Sequence, residues 1–246
     1  MASFRLIVQY DGTDYAGYQI QPGVITIQGE LERALTKLAG SPVRIVAAGR
    51  TDAGVHSEGQ TISFPRGRLT VPANKLPYAL NALLPRDIRV VGSEVVPCGF
   101  HARYDALEKT YRYQIYEGPF PNVFWRRYAY WSKHPLNWDL ITRCSRLFVG
   151  RHDFAAFAAS GSSVRTTVRT MKEVQVDSAG PLKTVRFTAD GFLYKMVRNL
   201  MGTLLEVGLG KLTLEDVEDI IAGRDRTRAG ATIAPAGLFL ERVKYS

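Results

Sequence analysis

Apolar residues recur along this chain at two spacings, and the switches between them lay out its elements. Phe4 to Tyr10 is strand-like and closes on the turn pair Asp11-Gly12. Ile27, Leu31, Leu35 and Leu38 then fall on one helical face, with Thr26 placed as N-cap and Gly40 as stop. Val43 to Ala47 and Gln60 to Phe64 are predicted strands, with Gly49 to Gly59 as the loop between them. Asn74 to Leu84, bounded by prolines, reads as a second helix, and Ile88 to Val91 as a short strand.

A second half starts near Ala106. Tyr111, Tyr113 and Ile115 alternate with Arg112, Gln114 and Tyr116 in strand fashion. A helix is predicted from Trp138 to Phe148, stopping before Gly150. Val174 to Val176 and Val185 to Phe187 form a hairpin around Ala179-Gly180-Pro181. A long apolar helix runs from Phe192 to Val207, and Thr213 to Asp216 resembles a capping box opening a last helix to Ile221. Leu238 to Tyr245 closes the chain as a strand. Each half mixes several strands with two helices, without the strict alternation of a doubly wound sheet. The expected class is therefore α+β, two related halves of mostly antiparallel sheet flanked by helices, divided as 1–105 and 106–246. A cleft between such halves is the natural place for an active site.

Composition narrows the function. A 46% hydrophobic and 22% charged chain has the makeup of a globular protein rather than a disordered one. Polar residues break every apolar stretch well before the roughly 20 residues of a membrane span, and the first residues read as a strand rather than a signal peptide. Two distant cysteines, Cys98 and Cys144, exclude a disulfide framework and favour a reducing, cytoplasmic setting. The four histidines are scattered, so no metal site is expected. Lys and Arg outnumber Asp and Glu by 32 to 23, for a net charge of +9, and 23 of the 32 are arginine. That balance attracts nucleic acid, and the guanidinium fork suits phosphates and bases, although a well-solvated surface would look the same.

Motifs for familiar cofactors fail. Gly202 to Leu212 glances at a phosphate loop, but Leu205 stands where its first glycine belongs and Leu212 where magnesium needs a hydroxyl. No GxGxxG follows a strand. Ser160 to Ser163 lacks the flanking glycines of a nucleophile elbow. Attention falls instead on Gly49-Arg50-Thr51-Asp52-Ala53-Gly54-Val55-His56, a loop after a strand with glycines on both sides of a short Arg-Thr-Asp. On its own, Asp before Ala-Gly reads first as a turn former whose carboxylate caps backbone N–H groups.

That segment, GRTDAGVH, resembles the catalytic signature of the tRNA pseudouridine synthases of the TruA family, with the acid at Asp52. The likeness continues in order through Tyr10 to Pro22, Ile27 to Leu35, Asn81 to Ile88, Phe100 to Ile115, Phe148 to Phe157 and Phe192 to Gly208. Tyr18 stands where the family commonly has Trp, Arg151 where it has Thr, and Lys195 where it usually has His; Ala234 to Leu240 is about one residue short. The resemblance implies the pseudouridine synthase fold and the isomerisation of uridine in the tRNA anticodon stem-loop by a homodimer. This chemistry involves no redox change and no group donor, so no cofactor is expected.

The same resemblance assigns roles. Asp52 is the catalytic nucleophile, acting in its ionised form. Arg50 enters the space left by the extruded uridine, as base-modifying enzymes require. Tyr111 stacks on the flipped uracil and shuttles a proton. Arg198 lies beside the acid and supplies the cation that a desolvated carboxylate needs. On a helix, Arg198 would share a face with Tyr194, Lys195 and Gly202, away from the stripe of Phe192, Met196, Leu200 and Leu204, and Lys195 is a further substrate contact. The rival readings are a non-catalytic RNA-binding protein, in which Arg50 is a phosphate contact and Arg198 a solvated helix residue, and a hydrolytic nucleosidase, for which paired carboxylates are usual.

Overall fold

The structure, a computed structural model, describes residues 2–67, 69–161 and 164–246. Ser162 and Ser163 of the rejected elbow lie outside them. In chain order the elements are β1 (Ala2–Tyr10), α1 (Ile27–Ala39), β2 (Val46–Ala47), β3 (His56–Pro65), α2 (Leu76–Asn81) and β4 (Ile88–Pro97). There follow β5 (Glu108–Glu117), β6 (Tyr130–Ser132), α3 (Trp138–Ser145), β7 (Gly150–Asp153), β8 (Val168–Asp177) and β9 (Leu182–Ala189). The chain ends with α4 (Met196–Gly208), α5 (Leu214–Gly223) and β10 (Leu238–Lys244). The class is α+β; β1 with β3 and β4, β2 with β3, β5 with β9, β7 with β8 and β8 with β9 pair antiparallel, and β3 with β10 and β5 with β6 pair in parallel. The chain divides into two compact units, Met1–Leu107 with Phe239–Ser246, and Glu108–Leu238.

In the first unit the strand order is β4-β1-β3-β10, with β2 also on β3. Phe4, Leu6 and Val8 point to one face of β1 and are fully buried with Leu31 and Leu35 of α1, Leu76 and Leu80 of α2, and Ile88 of β4. A one-residue slip of β1 would turn that row outward, so its burial fixes the register with β3 and β4. Thr26 caps α1 by accepting the Gly29 N–H at 3.2 Å, and Gly40, at φ 67, ends it in the left-handed region that suits glycine.

Several boundaries differ from the periodicity, among them that of β2, which keeps only Val46–Ala47 of the predicted Val43 to Ala47. β3 begins at His56 rather than Gln60, because Ser57, Gln60, Thr61 and Ser63 are buried polar residues that no hydrophobic pattern marks. Ser57 Oγ donates to the Leu240 carbonyl and accepts from the Gly59 and Gln60 N–H groups, so its burial leaves it satisfied. The predicted helix from Asn74 splits into a 3-10 turn over Ala73–Lys75 and the short α2. It stops at Asn81, whose amide side chain both donates to and accepts from Val90 of β4. β4 in turn runs to Pro97, well past Val91, along the edge of β1.

In the second unit the order is β5-β9-β8-β7, with β6 parallel to β5. Tyr111, Tyr113 and Ile115 are the buried row of β5. Asn137 caps α3 by accepting the Leu140 N–H, and the last predicted turn of that helix tightens into a 3-10 turn over Arg146–Phe148. The capping box of α5 forms as expected: Asp216 accepts from the Thr213 N–H at 2.8 Å, and Thr213 Oγ1 accepts from the Asp216 N–H at 3.1 Å. The short β6 and β7 have no pattern long enough to be seen in sequence.

Candidate active site

Residues 48–55 of the first unit join β2 to β3 and carry Arg50 and Asp52. The segment is held from several directions. Ala48 N–H donates to the Thr61 carbonyl at 2.8 Å, and the Gln60 amide reaches back to the Gly49 carbonyl at 2.8 Å. Tyr18 N–H donates to the Thr51 carbonyl at 3.0 Å. The Thr51 hydroxyl shares a buried 2.8 Å hydrogen bond with Tyr10 OH. Backbone packing adds to this. A Cβ on Gly12 would lie 2.0 Å from the Val55 carbonyl oxygen, and Gly17, at φ 96, brings its backbone against Thr51 and Ala53. The turn itself closes through the Asp52 carbonyl, which accepts from Val55 N–H at 3.2 Å. Asp52 is half-buried and Arg50 exposed, on a backbone that has little freedom.

The side chains that create this rigidity carry no catalytic mark in sequence. Tyr10 is fully enclosed, and burial pushes its phenol up to about 12, so it meets Thr51 as a neutral hydroxyl. His56 is buried where the loop enters β3, and its ring stacks on Phe239 of β10 at 4.7 Å. Its Nδ1 accepts the Gly12 N–H at 3.2 Å and lies 3.1 Å from an Asp11 carboxylate oxygen. The turn Asp11-Gly12, which in sequence reads only as the end of a strand, thus braces the far end of the Asp52 loop. The one sequence signal available for this group is the run of polar residues at Ser57, Gln60 and Thr61 between apolar neighbours.

The second unit carries Tyr111, Lys195 and Arg198. Tyr111 is 7% exposed on β5, opposite Phe187 of β9 and edge-on to Phe192 at 5.0 Å. Arg198 is in the first turn of α4, where its Nε donates to the Ile233 carbonyl at 2.7 Å. Tyr113 OH donates to the adjacent Ala234 carbonyl at 2.6 Å. Burial raises the Tyr113 pKa, and the Arg198 charge opposes that rise. The remainder of α4 binds the same segment. Asn199 Oδ1 accepts from Arg226 and Thr232, Thr203 Oγ1 accepts from Gly230 N–H at 2.9 Å, and a Cβ on Gly202 would sit 1.9 Å from the Ala231 carbonyl oxygen.

One helix-face prediction needs correction. Tyr194 and Lys195 do not share a helical face with Arg198, because α4 begins at Met196 rather than Phe192. Lys195 is in the left-handed region at φ 57 and breaks the helix there. Its ammonium lies 5.0 Å from the centre of the Tyr194 ring. Arg198 and Gly202 do keep the expected one-turn spacing, both turned to the 230–234 segment. Arg198 near the positive end of a helix is unfavourable for the helix dipole, and its hydrogen bond to Ile233 offsets that.

Among the described residues, no cluster of three or more His, Cys, Asp or Glu is arranged to hold a metal ion. Among them too, no helix is long and apolar enough to cross a membrane.

The sequence model of the family described as "tRNA pseudouridine synthase" matches residues 6–105 and 144–246. The chain belongs to this family. Its fold is accordingly the pseudouridine synthase fold and its reaction class an isomerisation. Three relatives, each named tRNA pseudouridine synthase A, align along nearly their whole length. That of Bacillus licheniformis is 47% identical over 98% of this chain and 98% of its own. That of Syntrophomonas wolfei is 44% identical over 100% and 98%, and that of Moorella thermoacetica 44% identical over the full length of both. Among solved structures, a chain of a Cbf5-Nop10-Gar1 complex covers 82% of this chain and 54% of its own at 12% identity and a TM-score of 0.37, too distant to bear on function.

Proposed function

We propose that this pseudouridine synthase isomerises uridines on the 3′ side of the tRNA anticodon stem-loop, with Asp52 as the catalytic nucleophile. The supporting observation is the loop geometry: its backbone is fastened at Gly49, Thr51 and Val55 while Asp52 itself stays half-buried. A turn-forming aspartate has no need of that much bracing, whereas a nucleophile gains from being held in one attack geometry.

The reaction breaks the N1–C1′ bond of uridine, turns the uracil and joins C5 to C1′; C5 loses its proton and N1 ends with one. Asp52 either attacks the sugar or assists cleavage by removing a sugar proton, and both routes use the ionised carboxylate. Arg50, exposed two residues before the acid, takes the place of the extruded nucleotide in the stack. Tyr111 stacks on the turned uracil and relays its proton. Arg198 supplies a cation to the reaction, and Lys195 contacts the RNA. No redox partner or group donor enters the balance, so the reaction runs without cofactor or metal. The working form is a cytoplasmic homodimer.

The experiment is tritium release from an unmodified tRNA transcript labelled at uridine C5, with no metal or cofactor added, beside Asp52→Asn. Release by the wild type alone supports both the isomerisation and the acid. A tRNA that binds without release points to an RNA-binding protein, and free uracil as product points to a hydrolase.

A further inference from the structure

A loop of the first unit that takes no part in bracing Asp52 presents an aromatic ring on a fixed backbone. Tyr104 is 76% exposed. Its ring stacks on His101, with centroids 4.2 Å apart and planes 22° from parallel. The Arg103 guanidinium lies 5.8 Å from the ring centre. Isolated exposed aromatics are ordinary on a protein surface. This one differs in how its loop is built.

His101 organises the loop. Its Nδ1 accepts the backbone N–H groups of both Arg103 and Tyr104 at 3.2 Å. Its own N–H donates to the Asp105 carboxylate at 2.8 Å, and Asp105 N–H donates back to the His101 carbonyl at 3.0 Å. Ala102, between them, is fully buried and tied to the sheet: its N–H donates to Ser63 Oγ at 3.1 Å and its carbonyl accepts from Tyr245 OH at 2.7 Å. The ring is therefore ordered before anything binds, and little conformational entropy remains to be lost on binding. A flat exposed ring beside a guanidinium matches a nucleobase next to its phosphate, since base stacking on an aromatic is tolerant of sequence and arginine serves both phosphate and base. The net charge of +9 favours the same kind of partner.

Ala102 is tied to Ser63 of β3, whereas the Asp52 loop is fastened at Gln60 and Thr61 and enters the strand at His56, so the two loops are held by different residues of one strand.

We propose that Tyr104, with Arg103 beside it, is a stacking platform for an unpaired base of the tRNA other than the uridine undergoing isomerisation. The proposal rests on tRNA being the substrate. It is tested by fluorescence anisotropy with an unmodified tRNA transcript and by steady-state tritium release, using Tyr104→Ala, Tyr104→Phe and Arg103→Ala. Tyr104→Ala is expected to weaken binding and raise KM by about ten-fold, the scale of one lost base stack, with kcat unchanged and Tyr104→Phe restoring both. Arg103→Ala should lower the slope of binding against salt by about one charge, which Tyr104→Ala should not. Wild-type affinity in a folded Tyr104→Ala protein overturns the platform. So does a change of oligomeric state in that variant, which would make the loop a protein interface. Binding of tRNA without tritium release by the wild type would sink the isomerase reading alone, because the platform is judged on binding.

Discussion

Between Arg50 and His56, Thr51 and Val55 hold the backbone, while the proposed mechanism has Asp52 and Arg50 meet the substrate. Removing the carboxylate should therefore leave the loop standing: Asp52→Asn and Asp52→Ala are expected to lower turnover by at least ~10³-fold, on the scale of nucleophile deletions, with tRNA affinity close to wild type. Substantial turnover in both variants would remove Asp52 from the chemistry. The proposed acid and its neighbours could be picked out in the sequence because the family signature is contiguous. The bracing was not. Tyr10 and Thr51, or Gly12 and Val55, meet only after β1 and β3 pair, and nothing in the local pattern of either partner names the other.

At the scale of elements, the strands and helices with a long apolar period were readable, and the boundaries that moved did so for tertiary reasons. α2 stops where Asn81 is taken up by Val90, β3 starts early on buried polar residues, and α4 starts late because Lys195 leaves the helical region. The close approach of α4 to the 230–234 segment depends on Gly202 having no side chain. Gly202→Ala places a methyl against the Ala231 carbonyl. Overpacking of this kind costs about 1–3 kcal/mol, a fall in Tm of roughly 3–10 °C for a chain of this size. The Arg198–Ile233 hydrogen bond should loosen with it. A melting curve unchanged from wild type would contradict the packing described here.

For the molecule as a whole, two titrations test the physical picture. An excess of cations predicts tRNA affinity that falls steeply between ~50 and ~200 mM salt; a flat profile would refute an electrostatic contribution. The second concerns alkaline pH. Burial pushes Tyr10 and Tyr245 up to about 12, whereas in the unfolded chain such phenols ionise near their ordinary value of about 10. Their folded pKa values are raised, so the stability they contribute is intact below pH ~10 and is lost as pH rises toward ~12. Circular dichroism and phenolate absorbance should show unfolding and tyrosine ionisation proceeding together in that window. Ionisation of all twelve tyrosines near pH 10 with the fold intact would argue against this burial.

Lys195 shows where the fold has settled for less than its best. An L-residue in the left-handed region costs about 1–2 kcal/mol, and glycine at φ 57 would relieve most of it. Stability alone would favour glycine here, so a lysine in this conformation fits the RNA contact proposed for it. Two variants separate the terms, since Lys195→Gly and Lys195→Ala both delete the charge and only the first relaxes the backbone. Tm should rise for Lys195→Gly and hold for Lys195→Ala, while tRNA affinity falls equally in both. Unequal losses of affinity would instead mean that the bent backbone, rather than the ammonium, is what the position preserves.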